Sequence, residues 1–196
     1  MKLPYIQEPP IGLSAKDQAI YERIQARRGG TLLPLDKALF HSPEFADGWN
    51  SMLGAVRTRG VLSTDIREIC ICRPALHNRA WFEWKHHAPL LAEAEGFTSD
   101  MMQVVSTPNP KSQGPLNDKQ WAVLRYSDAM TTSVDVPQDI FGALAKAGFN
   151  NQEIVEITIT CAAYNMVSRF LVALDVGEMN GHPPQSVSPA DDGKST

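Results

Sequence analysis

Two prolines, Pro74 and Pro89, fall inside the stretch from Ile66 to Glu95, whose other residues are spaced as helix. An interior proline removes the amide that would bond the carbonyl four residues back, so Pro74 frees Cys70 and Pro89 frees Lys85. A bend is expected at each, with a break at His77-Asn78-Arg79 and a second helix capped by Asn78. The same stretch holds three of the five histidines, two of the four tryptophans, two of the three cysteines and the carboxylates Glu68 and Glu83. Polar chemistry is gathered where an ordinary helix pair would be apolar.

Within it, Glu83 and His87 lie four residues apart and stack on one helix face within hydrogen-bonding reach. A carboxylate beside an imidazole orients the ring and favours its charged form, and histidine titrates near neutral pH, so the pair can move protons. As a plain surface pair it would contribute only about 0.2–0.5 kcal/mol. Glu68, in an otherwise apolar segment, is either the ion-pair partner of Arg67, Arg73 or Arg169 or an acid or base in its own right. Arg169 follows Asn165 by four residues; its planar guanidinium suits a carboxylate ligand, a clamp on Glu68 or a neighbouring subunit. Trp84 is core, subunit contact or the wall of a pocket. It joins His86, Asn165 and Arg169 as a substrate-binding candidate, with Glu68, Glu83 and His87 as the catalytic set.

Other chemistries find less support. Glu83 and His86 have the Glu-x-x-His spacing of di-iron bundles, but the second copy such a centre needs is missing, so no metal is expected. No cofactor motif is present either. Cys70 and Cys72 point to different sides of a helix and cannot act as a Cys-x-x-Cys pair; with Cys161 they read as reduced, buried small side chains. A net charge of −4 with no basic run disfavours nucleic acid or an anionic membrane as partner and leaves a small soluble substrate. No window approaches about 18 consecutive apolar residues, and the N-terminus lacks a signal-peptide pattern, so a cytoplasmic protein without a membrane span is expected.

Along the chain, residues 1–13 read as an extended, proline-punctuated arm and 177–196 as a disordered tail rich in Gly, Pro, Ser and Asp. Residues 14–176, 43% hydrophobic across the whole chain, are expected to form one domain. Ser14 with Asp17 opens a helix that Gly29-Gly30 stops. Leu32 to His41 is a short turn or helix, and Ser42-Pro43-Glu44 starts a helix with the apolar stripe Phe45, Trp49, Met52, Leu53 and Val56. Further helices are read at Thr98 to Val105, from Asn117 with Gln120, at Gln138 to Lys146, and from Asn150 with Glu153 to Val176. Val155 to Thr160 alternates like a strand, but the apolar run continues to Leu174 and no partner strand exists, so it is read as helix. The fold class is all-α.

The spacing of Glu68, Ala80, Glu83 and His87, the run WFEWKHHAPL and the later run AYNMVSRFL resemble the carboxymuconolactone decarboxylase and alkyl hydroperoxidase D family over about residues 35 to 176. In the peroxidase branch, the positions equivalent to Ala80 and Glu83 are the two cysteines of a Cys-x-x-Cys pair, with a glutamate matching Glu68 and a histidine matching His87. Both sulfurs are absent here, and the wording is similar to the EYEWxxHxPxA run of the decarboxylase-like branch. The resemblance implies a helical domain of about eight helices and a homo-oligomer, trimer or hexamer. It further implies a cofactor-free lyase or isomerase acting by general acid-base chemistry on a small enolisable carboxylic acid or lactone. In that scheme His87, oriented by Glu83, transfers the proton at carbon, Glu68 is partner acid or base, and Arg169 or Asn165 steadies the carboxylate or enolate. The alternatives are a peroxidase or disulfide reductase, which would need the missing sulfurs, and a non-catalytic oligomeric binding protein.

Overall fold

The computed structural model describes residues 1–185. The described residues form nine α-helices and one short 3-10 turn: α1 (Ala15–Arg27), α2 (Pro34–Leu39), α3 (Pro43–Thr58), α4 (Thr64–His77), α5 (Trp81–Ala92), α6 (Ser99–Ser106), α7 (Asp118–Thr132), α8 (Gln138–Lys146), α9 (Asn151–Leu174) and the 3-10 turn Val176–Glu178. No strand occurs among them, and Val155 to Thr160 is helical.

The helices divide into two compact units: residues 1–60 with 173–178, and residues 61–172 with the described part of 179–196. The first unit has its own apolar centre, in which Ile20, Tyr21, Ile24, Leu35 and Phe40 are buried and Tyr21 meets Phe40 edge-on at 5.7 Å. Burial of several such side chains at about 1.5–3 kcal/mol each is what closes a small unit of this kind. Helix α3 buries Ala46, Asn50 and Leu53 rather than the whole expected stripe, and Phe45 is 75% exposed. The expected disordered tail begins too early. Val176–Glu178 forms the 3-10 turn, where Glu178 accepts from Tyr5, and Met179 packs on the second unit's core. The rest of that expectation, from residue 186 on, lies outside the described residues.

The second unit is organised on α4, which is buried along most of its length and packs most extensively on α7 and α5. Its core joins Ile69, Cys70 and Cys72 to Trp84, Leu91, Val123, Leu124, Leu144 and Ile157. Arg73, on the same helix, is fully buried. It binds Asp128 through two nitrogens, at 2.6 and 2.7 Å, and donates to the carbonyls of Val105, Thr107 and Pro108. A fixed guanidinium fork suits this role, tying the irregular segment after α6 to α7.

The break between α4 and α5 falls where the sequence suggests, but by a different device. Helix α4 continues through Pro74 to His77, and α5 through Pro89 to Ala92. Asn78 does not cap α5; it ends α4, and Ala80 precedes α5 instead. The Arg79 amide donates to Leu76 and the Ala80 amide to Ala75, the paired bonds of a Schellman motif. That motif needs a left-handed residue, and Arg79 supplies it with φ 55°. Helices α1 and α8 end the same way on glycines, Gly29 and Gly148.

Helix α9 is long and apolar enough to cross a membrane by length and mean hydropathy, which the absence of an unbroken apolar run had argued against. Half of that window is buried within the protein, and its buried side carries Thr160, Tyr164, Asn165 and Ser168 among the apolar residues.

Candidate active site

Glu68, Glu83 and His87 come together in the second unit. On α4, Ile66, Glu68, Ile69 and Cys70 are all buried, so the carboxylate of Glu68 enters the interior with its neighbours. On α5, Glu83 and His87 share one face, as their spacing dictates. The His87 Nδ1 lies 2.6 Å from Glu68 Oε2, and its Nε2 lies 2.9 Å from Glu83 Oε1. The imidazole therefore bridges carboxylates from two helices. All three residues are almost closed to solvent, at 2%, 5% and 3% exposure for Glu68, Glu83 and His87.

Electrostatics follow from this geometry. Burial by itself pushes the His87 pKa down, but hydrogen bonds and charge from Glu68 and Glu83 outweigh it and raise the value to about 9. At neutral pH the ring is an imidazolium, a proton donor at rest. Arg67, the first of the anticipated ion-pair partners, places Nε 3.2 Å from Glu68 Oε1. Two carboxylates are thus balanced by one imidazolium and one guanidinium, which lowers the cost of keeping charge out of water. Arg73 and Arg169 do not reach Glu68; Arg73 is engaged by Asp128, and Arg169 turns back along α9.

Tyr164, which sequence reasoning passed over, completes the group. Its ring stands edge-on to His87 at 5.2 Å, and its hydroxyl is 3.5 Å from Nε2. The signal was available: Ile157, Cys161, Tyr164, Ser168 and Leu171 have the spacing of one buried helix face and all are buried.

The remaining candidates occupy other places. Asn165 faces the α4–α5 junction: its Oδ1 accepts from Asn78 and Arg169, and its Nδ2 donates to Thr131 and to the Cys161 carbonyl. These bonds commit both ends of its amide, so Asn165 fixes the junction and holds Arg169 in place. His86 is exposed and outside the triad, because it lies about 100° around the helix from His87. Its Nδ1 bonds the Phe82 carbonyl at 2.7 Å and its ring lies on Phe82. Trp84 is buried and walls a cavity of about 500 Å³ on a side of α5 whose lining excludes the triad. The triad itself is a packed cluster.

Cys72, one turn after Glu68, is fully buried; burial pushes its thiol well above the ordinary value, and Glu68 and Glu83 add to the rise. Such a sulfur is a thiol, and the nucleophile in peroxide reduction is the thiolate. Ala80 and Glu83 supply no sulfur. Both His87 nitrogens are taken by carboxylates, and among the described residues no group of His, Cys, Asp and Glu is arranged to hold a metal ion.

No family model and no curated protein matches the sequence. Solved structures do. An AhpD-core, peroxidase-related protein from Ralstonia eutropha JMP134 is similar with a TM-score of 0.73 and 17% identity, covering 89% of this chain and 90% of that one. The fold is AhpD-like. A peroxidase-related protein from Silicibacter sp. TM1040 is similar with a TM-score of 0.66 and 20% identity, over 92% and 96% of the two chains. A Cys-to-Ala variant of the debrominase Bmp8, in complex with 2,3,4-tribromopyrrole, is similar with a TM-score of 0.67 and 14% identity, over 84% and 88%.

Proposed function

We propose that this chain is an acid-base enzyme, a lyase or isomerase, that moves a proton at carbon in a small enolisable carboxylic acid or lactone. The observation that carries this reading is the His87 ring held between two buried carboxylates from different helices. Glu68, the inner carboxylate, fixes Nδ1 and the ring plane. Nε2, on the side of Glu83 and Tyr164, is the proton-delivering edge. For decarboxylation, the bond to the carboxylate carbon breaks and its electron pair passes to the neighbouring carbonyl oxygen as an enolate. The pair then returns to form a C–H bond with the proton from Nε2, which water restores. Glu83 is the base for the isomerisation variant, taking a proton that His87 redelivers. Positioned acids and bases of this type contribute about 10²–10⁴-fold. Arg169, held by Asn165, is the proposed anchor for the substrate carboxylate.

The AhpD-like neighbours support an enzyme without fixing its reaction, since one fold hosts many chemistries. The outward stripe of α9, with Val155, Ile159 and Met166 exposed, is the proposed contact of a homo-oligomer. The test is incubation of wild type and Glu83→Gln with β-keto acids and unsaturated lactone acids in D₂O, following carbon-bound deuterium by NMR and release of carbon dioxide. Turnover by wild type that falls in the variant supports the reading. Absence of both signals for every acid rejects it.

A second reading draws on a different observation: both ring nitrogens are occupied and all three groups are buried. On this reading the triad is a structural ion cluster in a non-catalytic protein. Its mark is a large stability loss on triad substitution with no turnover to lose.

A further inference from the structure

The flank of α5 beside Trp84 carries a feature that the proposed chemistry does not use. Ala88 and Ala92 are one turn apart, and their small side chains leave open the cavity of about 500 Å³ walled by Trp84, Met102 and Met179. A void of this size lies in the 300–1,000 Å³ range of small-molecule sites. Its wall is apolar apart from two polar residues, Lys85 and His182, and includes no carboxylate. Lys85 is exposed and has no ion-pair partner among the described residues, so a full positive charge stands at an apolar hollow. His182 comes from the segment after α9, where its amide bonds the Met179 carbonyl in a turn and helps bring both side chains to the cavity.

We propose that this cavity binds an amphiphilic carboxylate, its hydrocarbon part on Trp84, Ala88 and the two methionines and its carboxylate on the Lys85 ammonium. Charge complementarity selects the anion: an amine would meet Lys85 as a like charge, and a neutral alcohol would forgo the charge-assisted bond. The lining includes none of the triad residues, and the proposal does not rest on their chemistry.

The test is calorimetric titration of the full chain with decanoate, with decanol and decyltrimethylammonium as neutral and cationic comparators. It is repeated on Lys85→Glu and Ala92→Phe, both at exposed positions where folding is not at stake. Circular dichroism confirms the helix content of each variant. The expected result is one decanoate per chain, bound about tenfold more weakly by Lys85→Glu, in keeping with loss of one charge-assisted bond. Binding is expected to be lost in Ala92→Phe, whose ring fills the void. Failure of decanoate to bind wild type overturns the proposal, as does equal binding by both variants. Binding of decanol or the cation as tight as that of decanoate overturns the anionic assignment. A concentration-dependent dimer that Ala92→Phe dissolves would assign the hollow to a second copy and overturn it as well.

Discussion

The Nδ1 of His87 sits 2.6 Å from Oε2 of Glu68, a residue 19 positions earlier on another helix. Neither residue is within local reach of the other. The chain reversal at Arg79 lies between them, and the contact acts together with Glu83 to raise the His87 pKa to about 9.

That acid sets a pH dependence. The folded-state value for His87 is raised to about 9 from an ordinary 6.5, so protonation stabilises the fold. The contribution is fully present below about pH 6.5 and is lost as pH rises through about 9, on the order of 3 kcal/mol at most. Denaturant unfolding from pH 6 to 10 is expected to show stability declining across that window, and the decline should vanish in Glu68→Gln/His87→Gln.

Single removal of one partner should be costly. Glu68→Gln keeps the shape but takes the charge from Nδ1, and breaking a buried pair typically costs about 3–5 kcal/mol. The His87 pKa, read by NMR, should fall in the same variant. His87→Ala leaves two buried carboxylates facing each other and is expected to destabilise the fold. His87→Gln is therefore the variant for kinetics.

Tyr164→Phe separates packing from hydrogen bonding. The edge-on ring is retained while the hydroxyl, 3.5 Å from His87 Nε2, is removed. Stability should change by less than about 1 kcal/mol, while turnover, once a substrate is found, should drop with little change in KM. An unaltered rate would remove the hydroxyl from the mechanism.

Arg79→Gly should raise the melting temperature. A side chain in the left-handed region costs about 1–2 kcal/mol, part of which glycine returns as unfolded-state entropy. The expected gain is about 0.5–1 kcal/mol, measured by thermal unfolding. A loss would mean that the Arg79 side chain makes contacts that outweigh its backbone strain.

Arg73→Lys should loosen the segment after α6. Lysine cannot reproduce a fork that holds Asp128 and three carbonyls, so several buried acceptors lose their donor. Faster amide exchange over residues 107–117 is the expected readout, with a stability loss of about 3 kcal/mol.

The helices were legible where local chemistry specifies them. Ser14 with Asp17 and Asn117 with Gln120 form the expected caps, and Gly29 and Gly148 end their helices in the left-handed region. Pairing of Glu83 with His87 was readable because it is a single-helix relation. What local pattern cannot carry is which residues from separate helices meet. Glu68 with His87 depends on how α4 and α5 fold back, and Tyr164 on the setting of α9. His86, next to His87 in sequence, lies about 100° around the helix from it. Asn78 looked like a helix start because asparagine favours both ends, and only the left-handed Arg79 decides between them.

Tyr164 and Asn165 are adjacent on α9 yet reach different partners, one the His87 ring and the other the Asn78 amide beside the chain reversal. An oily cylinder could otherwise spin or slide with little penalty. Two polar latches, set at different angles around the same rod, define both its azimuth and its height. A shift by one turn would undo them together, so the longest helix among the described residues is locked like a key by its least greasy teeth.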